Sequence, residues 1–525
     1  MNSNLSYTLR IAITVSLGGF IFGFDASVIS GVIGFLSDEY QLGNWEIGLV
    51  VAAPTLAGII SGATAAPLSD RFGRKRILLI VAALYVISAI CSAFAPNYQT
   101  LIVARFIGGL AFASLGLAPV YISEISTPSM RGRLVSINQL NIVVGFSAAY
   151  FANYMILTLS ESSSTWVSQL GIDRHTWRWM LGLEILPALA YFLLLFTIPE
   201  SPRWLVLHNR VPKARDIMRK LAGDGAIDDK IDEILNTSFD RASPVIERFK
   251  QLLKPSLKLV LTIGIIISIV QQITGINAIY FYAPSIFEQS GVGKDAAFSQ
   301  AVWVGIINII FTLIAMALID RLGRKPLLMI GLSGIFCSML LCSYGFYNAS
   351  YQLTEKSVSQ IAVKDSSLEL DAARLVPMVG IIYDSDVEFK QAVIESLGEV
   401  KARAHESELI KAAITINPYI ILAGILGFVA SFAMSLGPVM WVLLPEIFPN
   451  HLRGVAMAVT GMINSLSSFM VQLVFPWELN TLGATGTFAI YAGFAAVSFI
   501  FVAYLLPETR GKSLEEIEKE LGAKS

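Results

Sequence analysis

Three ionisable residues, Asp25, Arg105 and Glu184, lie inside stretches of sequence that are otherwise apolar. An ionised group costs several kcal/mol in hydrocarbon unless it is paired or hydrated, so such residues are expected to interact with one another. Arginine stays charged, whereas the pKa of a carboxyl group depends on whether its ion pair is formed. The pattern predicts a proton-binding switch in which Asp25 faces Arg105 and Glu184 lies nearby. A static ion pair that fixes helix packing is the alternative.

Side-chain amides form a second polar group within apolar stretches: Gln139, Gln271, Gln272, Asn277, Asn308 and Asn464. Buried amides need hydrogen-bond partners, and a single one most often serves to join two membrane helices. The segment from Gln271 to Asn277 is different, because it places three amides close together around Gly275. A helix distorted at that glycine would present these amides to one cavity, which indicates a binding site for a polar molecule.

The elements that position these groups are predicted to be membrane-spanning helices. Of 525 residues, 54% are apolar and 15% are charged, whereas soluble domains have about 25% charged residues. Lipid offers no partner to backbone amides, so each apolar stretch of roughly 20 residues should cross the membrane as a helix. The expected fold is all-α, with twelve spans in two sets of six, near 9–33, 47–69, 77–95, 101–122, 134–158, 177–198, 257–287, 298–319, 326–347, 417–444, 455–477 and 484–506.

The spans divide the chain into two halves, residues 1–199 and 257–506. The segment that joins them, 200–256, mixes charges at helical spacing and contains prolines, which predicts a small helical linker domain on the cytoplasmic side. A polar, acidic insertion at 348–416 interrupts the second half and is expected outside, as a folded extension or a mobile loop. A short cytoplasmic tail, 507–525, is expected after the last span.

Basic residues orient the spans. Arg71, Arg74 and Lys75 follow span 2, Arg131 follows span 4, and Arg321 follows span 8. By the positive-inside rule, these loops and both termini face the cytoplasm. The first span has no obvious cleavage site behind it, and a bacterial inner membrane is the expected location. The net charge of −1 argues against nucleic acid as a partner, and no metal or cofactor is expected.

Three short motifs occur twice, at equivalent places in the two halves. The first motif is Asp70-Arg71-Phe72-Gly73-Arg74-Lys75, and it returns as Asp320-Arg321-Leu322-Gly323-Arg324-Lys325. The second is Glu124-Ile125 followed by Arg131-Gly132, and it returns as Glu446-Ile447 followed by Arg453-Gly454. The third is Pro199-Glu200-Ser201-Pro202-Arg203, and it is matched by Pro507-Glu508-Thr509-Arg510-Gly511. This duplication predicts two parallel six-helix repeats with a cavity between them at mid-membrane depth.

The paired acids and bases in these motifs predict a gate at the cytoplasmic face. In the first half its members are Asp70, Arg71, Arg74, Glu124 and Arg131, with Gly73 permitting a positive φ in the tight loop. Charges at helix ends can pair when this side is closed and separate when it opens. Ordinary topogenic charge at a membrane surface is the alternative.

The chain resembles the sugar porter family of the major facilitator superfamily, which includes bacterial proton-xylose symporters and facilitative glucose transporters. The resemblance rests on four motifs in order: the Asp70 to Lys75 motif, Pro199-Glu200-Ser201-Pro202-Arg203-Trp204-Leu205, Gln271-Gln272-Ile273-Thr274-Gly275-Ile276-Asn277 and Pro507-Glu508-Thr509-Arg510-Gly511. It implies the major facilitator fold. It also implies that the protein acts as a monomer and takes up a monosaccharide or polyol by proton symport, through alternating access. The resemblance implies that the gate also includes Asp320, Arg324, Glu446 and Arg453. It implies that proton coupling depends on Asp25, Arg105 and Glu184.

The resemblance also implies a sugar site between the halves. Sugars carry hydroxyls that donate and accept hydrogen bonds together with apolar ring faces, so their sites combine amides with aromatics. Trp441 is expected to stack on the ring, and Tyr280, Phe281 and Tyr282 to form an outer lid. The matching sugar-contact positions are Phe22, Gln139, Gln271, Gln272, Asn277, Asn308, Trp441 and Asn464.

Three positions depart from the family pattern. Ser465 stands where glucose- and xylose-type members commonly have tryptophan, Phe146 replaces a glutamine, and Phe281 replaces a lid tyrosine. These changes leave the identity of the sugar open.

Alternatives to proton symport also remain open. They are a facilitator, a sodium-coupled transporter and a sugar sensor. A single carboxylate beside an arginine, as at Asp25, is a poor binding site for sodium. An enzyme is not expected, because no nucleophile, base and orienting group occur together.

Overall fold

A computed structural model describes residues 3–222, 227–239, 245–364, 372–398, 401–402, 405–449, 452–510, 512 and 516. Within these residues, twelve helical spans are long and apolar enough to cross a membrane, which confirms the predicted fold class. Most of the predicted tail, namely 511, 513–515 and 517–525, lies outside the described residues.

Seven spans are single helices, and five consist of two or more helical pieces. The single helices are Asn44–Phe72 (span 2), Arg74–Ala93 (span 3), Pro128–Ser160 (span 5), Lys294–Leu322 (span 8), Arg324–Tyr347 (span 9), Arg453–Thr481 (span 11) and Gly483–Leu505 (span 12). The interrupted spans are span 1 (Ser3–Val28, then a 3₁₀ turn at Ile29–Gly31), span 4 (Tyr98–Leu110, a 3₁₀ turn at Ala111–Ala113, then Ser114–Ile125), span 6 (Thr176–Gly182 and Ile185–Leu195), span 7 (Lys258–Ile273 and Ile276–Gln289) and span 10 (Pro418–Met434 and Leu436–Ile447).

Two of the interruptions lie at predicted site residues. Span 7 breaks at Gly275, whose φ of 96° is accessible to glycine at little cost. Span 6 breaks at Leu183 and Glu184, between its two helical pieces. Helix breaks expose backbone and re-aim side chains, and in transporters they are tolerated where they line a cavity or lie buried in protein.

Small residues let the spans approach closely within each half. A Cβ atom on Gly23 of span 1 would lie 2.1 Å from the carbonyl oxygen of Ile142, and one on Gly145 of span 5 would lie 2.0 Å from that of Phe20. Spans 1 and 5 therefore pack backbone to backbone, which places the polar residues of span 1 in the middle of the first half. Between the halves, span 2 packs on span 11 and span 5 packs on span 8.

The linker and the insertion lie at opposite ends of the bundle, which we call the linker end and the insertion end. Within its described residues, the linker contributes four helices, Pro202–Leu207, Val211–Ala222, Ile227–Phe239 and Val245–Leu252. The insertion has a three-stranded antiparallel sheet, Ile382–Tyr383, Ser350–Gln352 and Ile414–Thr415 in spatial order, and helices Glu355–Lys364, Ala372–Leu375, Asp386–Leu397 and Glu406–Ala413. Two further short helices, Ile33–Tyr40 and Thr165–Leu170, lie in the first half.

The insertion is folded and docked in its described residues. Its own apolar core includes Tyr351 and Phe389, whose rings stack 5.6 Å apart. Asp386 accepts a hydrogen bond from the backbone N–H of Ala484, 3.2 Å away, at the start of span 12. An anion at a helix N-terminus is stabilised by the unpaired N–H groups there. The prediction of a folded extension therefore describes this segment better than that of a mobile loop.

Candidate functional site

Asp25 and Arg105 form an ion pair in the interior of the first half. Arg105 Nη1 lies 2.5 Å from Asp25 Oδ1, and both side chains are at most 2% exposed. The guanidinium also donates to the main-chain oxygen of Asp25, at 3.3 Å from each terminal nitrogen. The arginine is therefore bound to span 1 through both the backbone and the carboxylate, and only the second of these bonds depends on the charge of Asp25.

Glu184 is the second buried carboxyl of this group. It is 2% exposed and interacts electrostatically with both Asp25 and Arg105. Within the described part of the chain, Asp25 Oδ2 and Glu184 Oε1 are buried without a hydrogen-bond partner. The structure therefore brings the three predicted proton-coupling residues together in the interior of the first half.

The amides of the second half form a connected network. Asn464 donates to Gln271 Oε1 at 2.6 Å and to the main-chain oxygen of Ser268 at 2.9 Å, and it accepts from Gln272 at 3.1 Å. Asn277 donates to Gln272 Oε1 at 2.7 Å across the break in span 7. The three amides of the Gln271 to Asn277 segment thus converge with Asn464 of span 11 at one place.

Three residues that the sequence analysis did not single out extend this network toward the insertion end. Asn277 and Gln472 both donate to Ser468 Oγ, at 2.6 and 2.7 Å, and Thr55 of span 2 donates to Gln472 Oε1 at 3.0 Å. Asn464, Ser468 and Gln472 recur every four residues, which places them on one face of span 11. This polar stripe in an apolar span was the available sequence signal.

An aromatic wall adjoins the network on the side of the first half. Phe22 packs against Phe112 and Phe146, with ring centroids 4.7 and 6.3 Å away, and Phe146 lies 5.0 Å from Tyr280. Tyr280, Phe281 and Tyr282 are all buried. Phe146, packed between Phe22 and Tyr280, therefore makes this side of the network apolar.

One predicted lid residue, Tyr280, contacts the first half on the side of the network toward the insertion end. Tyr150 of the first half donates to the main-chain oxygen of Tyr280 at 2.5 Å. Nearer the insertion end, the rings of Trp45 and Trp477 stack 6.1 Å apart, again one from each half. The amide network is therefore covered from the insertion end in this conformation.

Three predicted sugar-contact residues belong neither to the amide network nor to the aromatic wall. Gln139 is half-buried in span 5 and Asn308 is buried in span 8. Trp441 retains 46% of its surface exposed, one turn after Gly437 in span 10. In this conformation, the exposed indole does not form part of the aromatic wall around Phe22 and Phe146.

A cluster at the linker end joins the first-half motifs. Arg74 pairs with Glu124, 3.2 Å away, and with Asp70, while Ser201 donates to Glu124 at 2.6 Å. Glu200 accepts from the backbone N–H of Lys75 at 3.0 Å. The end of span 2, the end of span 4 and the start of the linker are therefore held together by charged hydrogen bonds.

The second half repeats this cluster. Arg324 pairs with Glu446 at 2.8 Å, Thr509 donates to Glu446 at 2.7 Å, and Glu508 accepts from the backbone N–H of Lys325 at 3.0 Å. Gly73 and Gly323, which precede the two arginines, have φ values of 102° and 98°. The duplicated motifs thus fold into duplicated clusters.

The remaining predicted gate residues lie outside these contacts or differ from expectation. Glu124 bonds to Arg74 and Ser201 and not to Arg131, which is exposed on span 5. Arg71 is exposed above the ring of Phe72, 5.2 Å away, and Arg453 is half-buried at the start of span 11. The side chain of Asp320 lies outside the described part of the structure.

Two six-span repeats around a central polar site define a secondary transporter of the membrane. The profile of the family described as sugar (and other) transporter matches residues 11–363 and 404–521. The chain belongs to this family, and the unmatched residues 364–403 lie within the insertion.

Curated relatives and solved structures are similar over nearly the whole chain. The arabinose-proton symporter of Bacillus subtilis is 35% identical over 98% of this chain and 95% of its own length, and the D-xylose-proton symporter of Escherichia coli K12 is 31% identical over 98% and 96%. The inward-open structure of the xylose transporter XylE from E. coli superposes with a TM-score of 0.73 at 30% identity, covering 98% of this chain and 100% of that one. A XylE structure bound to 6-bromo-6-deoxy-D-glucose gives a TM-score of 0.69 at 30% identity, covering 99% of this chain and 100% of that one.

Proposed function

We propose that the protein takes up a monosaccharide by proton symport through alternating access. The observation that carries this proposal is the separation of two buried polar groups: an ion pair with a second carboxyl in the first half, and an amide network in the second. The relatives named as arabinose-proton and D-xylose-proton symporters support both parts of it.

The proton-coupling residues are Asp25, Arg105 and Glu184. When a proton is added to Asp25, the ion pair with Arg105 is lost and only the bonds to the main-chain oxygen of Asp25 remain. One charge that crosses about 100 mV releases about 2.3 kcal/mol. At 1.4 kcal/mol per tenfold change, this is equivalent to a sugar gradient of roughly fiftyfold.

The sugar-binding residues are Gln271, Gln272, Asn277 and Asn464, with Gln139 and Asn308 completing the site as its halves close. The network satisfies its own donors and acceptors in this conformation, so a sugar binds by exchanging amide–amide bonds for amide–hydroxyl bonds. Such an exchange retains the count of hydrogen bonds and keeps the enthalpic cost small. Phe22 supplies an apolar surface for the ring, and Trp441, which is exposed, moves to stack on it.

The two ends of the bundle act as gates. Tyr280, Phe281 and Tyr282 cover the site from the insertion end, and the clusters built on Arg74 and Arg324 hold the linker end. The same linker-end gate also includes Asp70, Arg71, Glu124, Arg131, Asp320, Glu446 and Arg453. In alternating access, the insertion-end contacts between the halves break when that end opens, and the charge pairs of the linker-end clusters separate when the linker end opens.

The arginines at the linker end support a cytoplasmic location of that end and of both termini. The insertion then faces outward from a bacterial inner membrane. The protein functions as a monomer, because the site lies between two halves of one chain, and its partners are the sugar, the proton and the lipid bilayer rather than nucleic acid.

Uptake by proteoliposomes tests the proposal. Labelled L-arabinose, D-xylose and D-glucose are supplied under an imposed proton gradient, with and without a protonophore. We expect accumulation of at least one of them, and its collapse to simple equilibration when the protonophore is added. Equilibration that is indifferent to the proton gradient would identify a facilitator, and saturable binding without flux would identify a sensor.

A further inference from the structure

A cavity of about 340 Å³ lies at the linker end of the first half, apart from the sugar site. Its walls come from the end of span 2, the start of span 3 and the first two linker helices. Arg76, Arg210 and Lys213 line it together with Trp204, Phe72 and Glu200. Its volume suits a small headgroup or metabolite, and three cations against one carboxylate give it a positive charge.

The carboxylate does not neutralise the cations by pairing with them. Glu200 Oε1 accepts from the backbone N–H groups of Lys75 and Ser201, 3.0 and 2.9 Å away. Within the described residues, Arg76, Arg210 and Lys213 form no ion pair with a carboxylate, and all three are exposed to solvent. The cavity is therefore accessible and has cations available for an anion.

The position of two of these cations is unfavourable without a ligand. Arg210 immediately precedes helix Val211–Ala222 and Lys213 lies in its first turn, which contains no acidic residue. The N-terminus of a helix carries a partial positive charge, so cations there are destabilising and an anion is stabilising. A bound anion would reverse the sign of this interaction.

The aromatic side of this cavity, formed by Trp204 and Phe72, is held in place by the first-half cluster at the linker end. Trp204 donates from Nε1 to the main-chain oxygen of Asp70 at 2.8 Å, and Arg210 lies 5.7 Å above its ring. Phe72, at the end of span 2, is 39% exposed. A ligand that combines a negative charge with apolar surface therefore has a partner for each part.

We propose that this cavity binds an anionic phosphate group, supplied by the headgroup of a membrane phospholipid or by a soluble phosphate monoester. Bound phosphate draws Arg76 of span 3 and Arg210 and Lys213 of the linker together. Because Trp204 and Ser201 contact Asp70 and Glu124, the ligand stabilises the gate cluster of the first half and slows its rearrangement.

Binding is tested on the full-length protein by thermal unfolding with two probes. The first is phosphatidylglycerol, added to phosphatidylcholine nanodiscs; the second is hexose 6-phosphate, added in solution to nanodiscs of phosphatidylcholine alone. We expect one probe to raise Tm. A rise with phosphatidylglycerol identifies a lipid headgroup as the source, and a rise with hexose 6-phosphate identifies a soluble ligand.

The variant R210Q/K213Q should bind the effective probe at least about tenfold more weakly, because it loses two charged hydrogen-bond donors. K220Q, on the same helix but outside the cavity, is the matched control and should bind as wild type does. The variant K213R keeps the charge and should retain binding, which separates loss of the site from loss of folding. Equal stabilisation of wild type and R210Q/K213Q, or no stabilisation by either probe, would overturn the proposal.

Discussion

The two halves of the molecule have nearly the same structure at the linker end and different chemistry in the middle of the membrane. Arg74, Glu124 and Glu200 in the first half make the contacts that Arg324, Glu446 and Glu508 make in the second. At mid-membrane depth, the first half instead holds a buried ion pair and the second holds amides. Duplication has kept the charged clusters at the linker end, whereas the parts that we propose to bind proton and sugar differ between the halves.

The largest expected effect is on the buried ion pair. Asp25→Asn removes the charge while preserving the shape of the side chain, so the sugar is expected to equilibrate but not to accumulate. The loss should approach the roughly fiftyfold gradient that about 100 mV can sustain. Accumulation and sugar counterflow are measured in the same proteoliposomes.

Asp173→Asn is the matched control, because Asp173 is an exposed carboxylate, and it should accumulate sugar as wild type does. Accumulation of sugar by Asp25→Asn would contradict the proposal that the first half binds the proton and the second half binds the sugar.

The next effect concerns the amide network. Asn464→Ala removes the donor to Gln271 and to the main chain of Ser268, so those buried oxygens lose a partner. The Kd for sugar should rise by about 10- to 100-fold. The dependence of sugar accumulation on the proton gradient should change little. Asn348→Ala, which removes an exposed asparagine at the end of span 9, is the control. Isothermal titration on purified protein gives the Kd, and an unchanged affinity in Asn464→Ala would place the sugar elsewhere.

The sequence indicated which polar residues lie together in each half, because charged and amide residues are rare in apolar spans. It did not identify Thr55, Ser468 and Gln472, since serine, threonine and a single glutamine are common as packing residues in membrane helices. Glu124 pairs with Arg74 rather than with the nearer residue in its own turn, Arg131, because span 4 ends beside the turn between spans 2 and 3. That adjacency is tertiary and has no local sequence signal.

The equivalence of the two linker-end clusters gives a third prediction. Gly73→Ala and Gly323→Ala each place a side chain at a φ near 100°, and the new Cβ would meet the carboxylate of Glu200 or Glu508 at 2.5 or 2.7 Å. Each should lower stability by about 1–3 kcal/mol, by a similar amount in the two halves. Thermal unfolding in detergent measures the effect.

Gly132→Ala is the control, because a Cβ there meets nothing within 4 Å. A large effect of only one of Gly73→Ala and Gly323→Ala would show that the two clusters are not equivalent.

The smallest effect is expected at the insertion end, which has no repeated counterpart. Burial raises the pKa of Asp38; Lys294 and His405 lower it, and Glu408 raises it further. Because the pKa is raised while this end is closed, protonated Asp38 favours closure. That contribution is full below the ordinary pKa of 3.8 and is lost as the pH rises through the raised value.

A fluorophore pair across the insertion end should therefore report closure that increases as the pH falls in wild type but changes little with pH in Asp38→Asn, because the neutral amide mimics the protonated carboxyl. The Asp173→Asn variant serves again as the control. Identical pH profiles in wild type and Asp38→Asn would remove Asp38 from the gate.

Sugar-driven proton movement tests the coupling of the two halves most directly. Proteoliposomes are given a sugar gradient but no proton gradient or membrane potential, and the external pH is followed with a dye. Coupled transport predicts that sugar entry makes the external medium more alkaline in wild type and leaves it unchanged in Asp25→Asn. Sugar entry without any change of external pH in the wild-type protein would contradict proton symport.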